Sequence, residues 1–178
     1  MGEGLLMKAF SGGGIKSVQR GVSTVPDVAT NITINTVDRT KCLVLVTKFG
    51  TDASQLDYDD FINNVWGVVT TSTNLALVTK RVDAYISVSW TLIEFAYGTV
   101  QHGTITPTAV GVNNTTISAV DMDKAILVHT ETVSNFTTGI GDEMRDRAKV
   151  ELTSSTNIAV TLVVYNSVHR VQYMIWSP

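Results

Sequence analysis

The sequence has only one cysteine and few charged residues, and both shortages limit what the protein can be. A lone cysteine, Cys42, excludes an intrachain disulfide and a cysteine-based zinc site. It stands in an apolar run typical of a strand, so we expect a buried structural thiol. Charged residues make up 16% of the chain, the net charge is −3, and no cluster of lysine or arginine occurs. Because phosphate binding needs clustered cations, the composition argues against a nucleic-acid partner.

Long apolar runs and targeting signals are missing as well. No stretch approaches the roughly 20 apolar residues that cross a bilayer. The N-terminus carries Glu3 where a signal peptide has a base, and Leu6 occupies the Ser/Thr position of a myristoylation signal. We therefore expect a protein without membrane insertion that is made and kept in a cytoplasm until it assembles.

Signatures of catalysis are absent from the sequence. There is no Gly-x-Ser-x-Gly elbow, no nucleotide-binding glycine pattern and no paired-histidine metal motif. Asp57, Asp59 and Asp60 could offer oxygen ligands to Ca²⁺, but the glycine and closing glutamate of an EF-hand loop are missing. An acid pair for glycoside hydrolysis could be drawn between two loops, although nothing in the sequence fixes the carboxyl separation that this mechanism needs. We predict a non-enzymatic protein with no cofactor and no metal ion.

What the sequence does contain is a duplication. Ser72-Thr73-Asn74 recurs as Ser155-Thr156-Asn157, and Val37-Asp38-x-x-Lys41 recurs as Val120-Asp121-x-x-Lys124, in both cases 83 residues later. The same shift aligns Trp90 with Tyr173, while Val18-Gln19-x-Gly21 recurs 82 residues later as Val100-Gln101-x-Gly103. Small repeated units of this kind stabilise one another. We predict an N-terminal arm at 1–14 and two modules, at 15–95 and 96–178.

Apolar periodicity predicts short strands within each module. Apolar residues alternate with a period of two in Ile86, Val88, Trp90 and Leu92, and β-branched residues dominate throughout. The predicted fold class is therefore all-β, with two tandem antiparallel β-sandwich modules that resemble each other.

The repeated polar motifs fall between predicted strands. The aspartates of the Val-Asp-x-x-Lys motif are expected to accept hydrogen bonds from backbone amides of a tight connection, and its lysines are expected to pair with them. The Ser-Thr-Asn elements are expected to form hairpin turns. The three histidines are dispersed at positions 102, 129 and 169, and two of them replace Val46 and Ile86 of the first copy. We expect exposed or satisfied strand histidines rather than a repeated catalytic apparatus.

Two loops, 50–66 and 131–147, are the segments in which the copies differ most. Loops that diverge on a constant scaffold usually carry partner contacts. The arm adds apolar side chains ahead of a glycine hinge, and such side chains need a covering partner. The candidate partner-contact residues are Leu5, Leu6, Met7, Phe10, Asp57, Tyr58, Asp59, Asp60, Arg145 and Arg147.

The two ends of each module carry a resemblance to known families. Ile15-Lys16-Ser17-Val18-Gln19-Arg20-Gly21 opens a module that closes with Val88-Ser89-Trp90-Thr91-Leu92-Ile93-Glu94-Phe95. This outline resembles small β-rich proteins encoded among the virion structural genes of tailed bacteriophages. It is also similar to H-type lectin domains, and that likeness implies six-stranded antiparallel sandwiches that associate as trimers. No sugar-contacting residue of the lectin family is carried over.

The resemblance implies a non-enzymatic component of a tailed-phage virion, exposed as a tail-tip or fibre subunit or as a capsid decoration. The alternative is a lectin-type carbohydrate-binding module that recognises a host surface glycan. The implied partners are other virion proteins and further copies of the chain, with a homotrimer favoured. The expected location is the virion, assembled in the host cytoplasm.

Overall fold

The computed structural model describes residues 14–26, 28–51, 65–79, 86–134, 148–163 and 168–178. This part of the chain contains twelve β-strands and one short 3₁₀ turn, Arg39–Lys41, but no α-helix. The strands of the first copy are β1 (Ile15–Val25), β2 (Ala29–Thr33), β3 (Cys42–Thr51), β4 (Trp66–Thr71), β5 (Asn74–Val78) and β6 (Ile86–Phe95). Those of the second copy are β7 (Thr99–Ile105), β8 (Gly111–Thr116), β9 (Ile126–Ser134), β10 (Lys149–Ser154), β11 (Asn157–Leu162) and β12 (Val168–Ser177).

The twelve strands form four three-stranded antiparallel sheets. The first copy contributes the sheets β1-β6-β3 and β2-β5-β4, and the second contributes β7-β12-β9 and β8-β11-β10. Equivalent strands take equivalent places, and none of these sheets mixes strands of the two copies. The all-β fold class and the internal repeat are therefore confirmed. Each copy contributes six of the described strands.

Each copy encloses an apolar core between its two sheets. In the first copy Leu75 and Leu77 of β5 share one buried cluster with Val88 and Leu92 of β6. The second copy repeats the arrangement with the buried residues Ile158, Val160, Val171 and Ile175. Alternate residues of β6 point into the core, as the period-two pattern predicts. Trp90 is buried, whereas its equivalent Tyr173 is only partly buried.

A third apolar cluster joins the two copies. Its buried members are Leu43, Ile93 and Phe95 from the first copy and Val100 and Trp176 from the second. The cluster is completed by the partly buried Leu45, Ile126, Val128 and Met174. At the 83-residue shift, Leu43 matches Ile126, Leu45 matches Val128 and Ile93 matches Trp176. The sheets β1-β6-β3 and β7-β12-β9 are equivalent, and they contact each other through equivalent faces. Identical subunits meet in this way in an isologous dimer.

The repeated Val-Asp-x-x-Lys motif forms the same tight connection twice. The Asp38 carboxylate accepts a hydrogen bond from the Thr40 amide at 3.0 Å, and the Asp121 carboxylate accepts one from the Asp123 amide at 3.2 Å. The motif lysine pairs with its own aspartate in both copies, at 3.9 Å for Lys41 and 2.8 Å for Lys124. The predicted turn role and the predicted ion pair are both confirmed.

The repeated Ser-Thr-Asn element forms a hairpin turn in each copy, between β4 and β5 and between β10 and β11. The Asn74 side-chain amide donates to the Asn31 side-chain oxygen at 2.9 Å, and Asn157 donates to Asn114 at the same distance. These bonds tie the hairpin to the third strand of its sheet. The Asn31 and Asn114 side chains therefore support the pairing of these strands.

The two divergent loops begin later than the sequence suggests. Strand β3 continues to Thr51 and β9 continues to Ser134, because both keep pairing with the long central strand of their sheet. Trp66, placed at the end of the first loop, is the first residue of β4. Val65, also predicted as part of the first loop, is buried in the core of the first copy. The rest of both loops, 52–64 and 135–147, lies outside the described residues.

Candidate functional site

The repeated Gln-x-Gly motif explains how each module is closed at its first strand. The Gln19 side chain accepts a hydrogen bond from the Asn35 amide at 2.8 Å and donates one to the Asn35 carbonyl at 3.1 Å. Gln101 makes the same pair of bonds with Ser118, at 2.8 and 3.0 Å. The amide side chain of each glutamine thus bonds both the backbone N–H and the backbone carbonyl of one residue, Asn35 after β2 or Ser118 after β8. In both copies the glutamine therefore stabilises the fold.

The glycine of the motif makes room for an aromatic side chain of the neighbouring strand. Gly21 pairs with Trp90 and Gly103 pairs with Tyr173. A Cβ atom on Gly21 would lie 2.5 Å from Cζ2 of Trp90, and one on Gly103 would lie 2.6 Å from the Tyr173 hydroxyl oxygen. Aromatic side chains commonly cover a strand glycine in this way. The Gly and the aromatic position of the sequence outline are therefore two halves of one packing contact.

A cleft of about 120 Å³ lies between the two copies. Its walls come from the first copy, at the 3₁₀ turn and at β3 and β4, which are edge strands of their two sheets. Its floor comes from the sheet β7-β12-β9 of the second copy. The lining residues most relevant to binding are Arg39, Trp66, His102, Thr104, Thr130, Gln172 and Met174.

Two cross-strand rows of side chains form the floor of the cleft. In one row Gln172 of β12 stands between Thr104 of β7 and Thr130 of β9. In the next row Met174 is paired with His102 and Val128. Met174 and Val128 belong to the cluster that joins the copies, so alternation along the strands places Gln172, Thr104 and Thr130 on that same face. The floor changes from apolar to polar as it leaves this cluster.

The Gln172 side-chain oxygen has no hydrogen-bond partner, although the residue is only 9% exposed. A buried amide oxygen without a partner costs about 1–3 kcal/mol. Nearly all buried polar groups are satisfied by protein or water, so an exception calls for an explanation. None of the described residues donates a hydrogen bond to this oxygen.

The Cys42 thiol and the Tyr173 hydroxyl, which both line the cleft, are weak nucleophiles. Burial raises the pKa of the Cys42 thiol to about 12, and burial also raises the pKa of the Tyr173 hydroxyl. Both groups are therefore protonated and weakly nucleophilic at neutral pH. The basic side chains at the cleft are Arg39, His102 and His129, and none of the described residues lining it is a carboxylate. Arg39 is held in place by donating to the Thr70 carbonyl at 3.0 Å.

A buried carboxylate lies at the end of β6, and sequence reasoning did not single it out. Glu94 accepts hydrogen bonds from the Lys16 ammonium at 2.8 Å, the Ser17 hydroxyl at 2.9 Å and the Asp38 amide at 2.8 Å. Burial alone would raise the pKa of Glu94, but these bonds outweigh it and the pKa is lowered. The second copy has Ser177 here, whose hydroxyl accepts from the Asp121 amide at 3.2 Å. These hydrogen bonds connect the end of β6 to β1 and to the turn at Asp38, so we interpret Glu94 as a residue that stabilises the fold.

The predicted partner-contact residues cannot be compared with this cleft. Leu5, Leu6, Met7, Phe10, Asp57, Tyr58, Asp59, Asp60, Arg145 and Arg147 all lie outside the described residues. Instead the structure brings together Trp66, His102 and Gln172, which no pattern in the sequence connects. They come from β4, β7 and β12, so only the packing of the two copies makes them neighbours.

The described residues contain neither a grouped set of metal ligands nor a membrane-spanning helix. No three His, Cys, Asp or Glu side chains are grouped there so as to hold a metal ion. No helix in that part of the chain is long and apolar enough to cross a membrane.

Comparison with known proteins found no match for this chain among protein families, curated proteins or solved structures.

Proposed function

We propose that the protein is a non-enzymatic structural subunit of a tailed-phage virion, exposed as a tail-tip or fibre component or as a capsid decoration. The observation that carries the proposal is a pair of sheet edges, β2 and β8, whose own residues include no charge, proline or bulge that would block pairing with another chain. The sparse charge and the sequence outline at the module ends support the same conclusion.

Strands β2 and β8 are equivalent edges of the two outer sheets. Neither contains a charged residue or a proline, and each pairs with its central strand in an unbroken register. By contrast, the edge strands β1 and β10 carry lysine and a register shift. Natural sheets block free edges with charges, prolines or bulges, because an open edge pairs with other chains. Two regular, uncharged edges therefore suit a protein that works inside an assembly.

Exposed apolar side chains support burial against other subunits. Val112 on β8 is 62% exposed and Val22 on β1 is 69% exposed. Assembly with further copies in a closed ring would cover such edges, and the lectin-like outline favours a trimer. Other virion proteins would bind the surfaces of the subunit that further copies leave exposed.

Lysines placed on the two edges test this assembly. Ala29 and Val112 are equivalent exposed positions of β2 and β8. In light scattering, we expect the unmodified protein to behave as a trimer and the double variant Ala29→Lys/Val112→Lys as a smaller species. Val163→Lys adds one lysine at a site outside the strands, where the residue is 71% exposed, and should leave the trimer intact. A stable monomer at micromolar concentration would contradict self-association and leave docking onto other virion proteins.

The location in a virion needs its own test. We expect antibodies against the chain to detect it in purified phage particles and to label their surface in electron microscopy. Particles that lack the protein would overturn the proposal.

The arm offers a second route to assembly. Gly14 is buried and its carbonyl accepts a hydrogen bond from the Ala96 amide at 2.9 Å, so a deletion should stop at residue 13. We expect the protein without residues 1–13 to unfold at an unchanged temperature and to associate more weakly. A much lower unfolding temperature would show that the arm belongs to the core.

The second candidate function is lectin-type recognition of a host surface glycan. The specific observation in its favour is the cleft between the copies, which combines an aromatic side chain with hydroxyl and amide groups. Binding of the purified chain on a glycan array tests it. A tail-tip or fibre subunit that binds a glycan would serve as the receptor-binding part of the particle.

A further inference from the structure

We infer that the cleft between the two copies is a saccharide-binding site in which the Gln172 side-chain oxygen accepts a hydrogen bond from a ligand hydroxyl. The inference rests on the second candidate function, glycan recognition, and names the site and the contacts that would perform it. It does not depend on the oligomeric state.

The position of Gln172 argues for a ligand that donates hydrogen bonds. The side chain lies on the floor of the cleft, and its oxygen is buried without a partner. The next two positions of the strand on the same face, Met174 and Trp176, carry apolar side chains instead. A donor that enters the cleft would remove the cost of the unpaired oxygen. Sites built around such a polar group discriminate strongly for the ligand that satisfies it.

The neighbours of Gln172 argue for a hydroxyl-bearing ligand. Thr104 and Thr130 flank it in one cross-strand row, so an amide stands between two hydroxyl groups. Hydroxyl groups both donate and accept, and they match ligand hydroxyls that do the same.

The walls of the cleft suit the apolar faces of a sugar ring. Trp66 and Met174 line it next to the polar row. Pockets for small ligands combine apolar and aromatic walls with a few polar groups that fix the orientation. Since no described carboxylate lines the cleft and Arg39 does, both neutral and acidic sugars are compatible with its charge.

The size of the cleft limits how much ligand enters. An apolar cavity of about 150 Å³ accepts a benzene molecule. The 120 Å³ between the copies is smaller than this, and a pyranose ring with its hydroxyl groups is larger than benzene, so only part of one terminal sugar ring enters the cleft and the rest of the saccharide lies outside. We expect recognition of a terminal monosaccharide unit.

Substitution of Gln172 in the full-length chain tests the site. A glycan array and calorimetric titration with the best glycan would be compared for the unmodified protein and for Gln172→Met, which keeps the length of the side chain but removes the acceptor. We expect about tenfold or greater weakening of binding, the effect of losing one well-placed hydrogen bond. The unfolding temperature should stay the same or rise, because the variant also removes an unpaired buried oxygen. Thr104→Val should weaken binding as well.

Thr161→Val is the matched control, because Thr161 lies on β11 and does not line the cleft. It should bind like the unmodified protein. Glycan binding that Gln172→Met leaves unchanged would overturn the site while the lectin function stands. Absence of binding to every glycan would overturn both. Binding of nucleosides in place of sugars, with the same loss in Gln172→Met, would overturn the ligand class, and a crystal soaked with the best glycan that shows only water at Gln172 would overturn the site.

Discussion

The rings of Phe95 and Trp176 stack at a centroid distance of 4.5 Å and an angle of 23°, and this contact joins the end of the first copy to the end of the second. Trp176 stands where the first copy has Ile93, and both side chains belong to the cluster between the copies. The Trp176 indole also donates to the Tyr97 carbonyl at 3.3 Å, in the segment that connects the copies. The two modules are thus joined by a face that an isolated module would leave exposed.

Removal of the indole should loosen the pair of modules. We expect Trp176→Ala to lower the free energy of unfolding by about 3–5 kcal/mol, the usual cost of truncating a buried aromatic residue. Trp176→Ile, which installs the residue of the first copy, should cost clearly less. Denaturant unfolding followed by fluorescence measures both, with Val163→Ala as the exposed control. An alanine variant as stable as the parent would show that the interface contributes little.

The glycine beneath Trp90 should tolerate no side chain. Gly21→Ala places a methyl group 2.5 Å from the ring, so we expect a loss of about 1–3 kcal/mol from overpacking. Gly103→Ala should cost less, because the nearest atoms are at the tip of the Tyr173 side chain, which can move. Thermal unfolding of the two variants gives the comparison. Equal losses would contradict the difference in packing between the copies.

The paired hydrogen bonds of Gln101 should be separable. Gln101→Ala removes both bonds to Ser118 and should cost about 1–3 kcal/mol, at 0.5–1.5 kcal/mol for each bond. Gln101→Glu keeps the acceptor for the Ser118 amide but removes the donor, so about half of that loss is expected. Chemical denaturation at pH 7 measures both. A glutamate variant worse than alanine would indicate that the carboxylate repels the Ser118 carbonyl more than its amide bond compensates.

The buried carboxylate of Glu94 should make stability depend on pH. Its pKa is lower in the folded state than in the unfolded chain, so the unfolded chain binds more protons in acid. The stabilisation is therefore present above the unfolded pKa of about 4.3 and is lost as pH falls through the lower folded pKa. Urea unfolding from pH 7 to pH 2 should show a steeper loss for the parent than for Glu94→Gln.

The comparison with Glu94→Gln isolates this group from other carboxylates. The pKa of Asp38 is lowered by its hydrogen bonds with Thr40, and the pKa of Asp121 is lowered by Lys124, so both contribute in the parent and in the variant alike. At pH 7 the variant should be about 1.5–3 kcal/mol less stable, the range for hydrogen bonds to a charged group. Parallel pH profiles would contradict the role of Glu94.

The thiol of Cys42 should resist modification in the folded protein. Because its pKa is raised to about 12 by burial, almost no thiolate exists at pH 8, and the side chain is only 4% exposed. We expect a maleimide or disulfide reagent to label Cys42 at a rate limited by unfolding. The rate should rise sharply in urea, and rapid labelling of the native protein would show that the strand opens locally.

The duplication and the strand pattern could be predicted from the sequence because both depend on local spacing. Alternation along Ile86 to Leu92 fixes which side chains face the core, and the turn role of Asp38 and Asp121 follows from hydrogen bonds within a few residues. These relationships do not require knowledge of which strands lie side by side. The virion function and the trimer remain proposals that rest on the sequence outline.

The tertiary structure decided which distant residues meet. Glu94 is separated from Lys16 by 78 residues and from Asp38 by 56, so its buried network has no local signature. The cleft forms where the edge strands β3 and β4 of the first copy lie against one face of the sheet β7-β12-β9, the face turned away from the core of the second copy. That contact follows from how the two similar modules pack. The sequence alone determined the boundaries of the two modules and the strand pattern within them, because the repeat and the apolar alternation of each strand are local features. The unpaired Gln172 oxygen could be recognised only after packing showed that no neighbour reaches it.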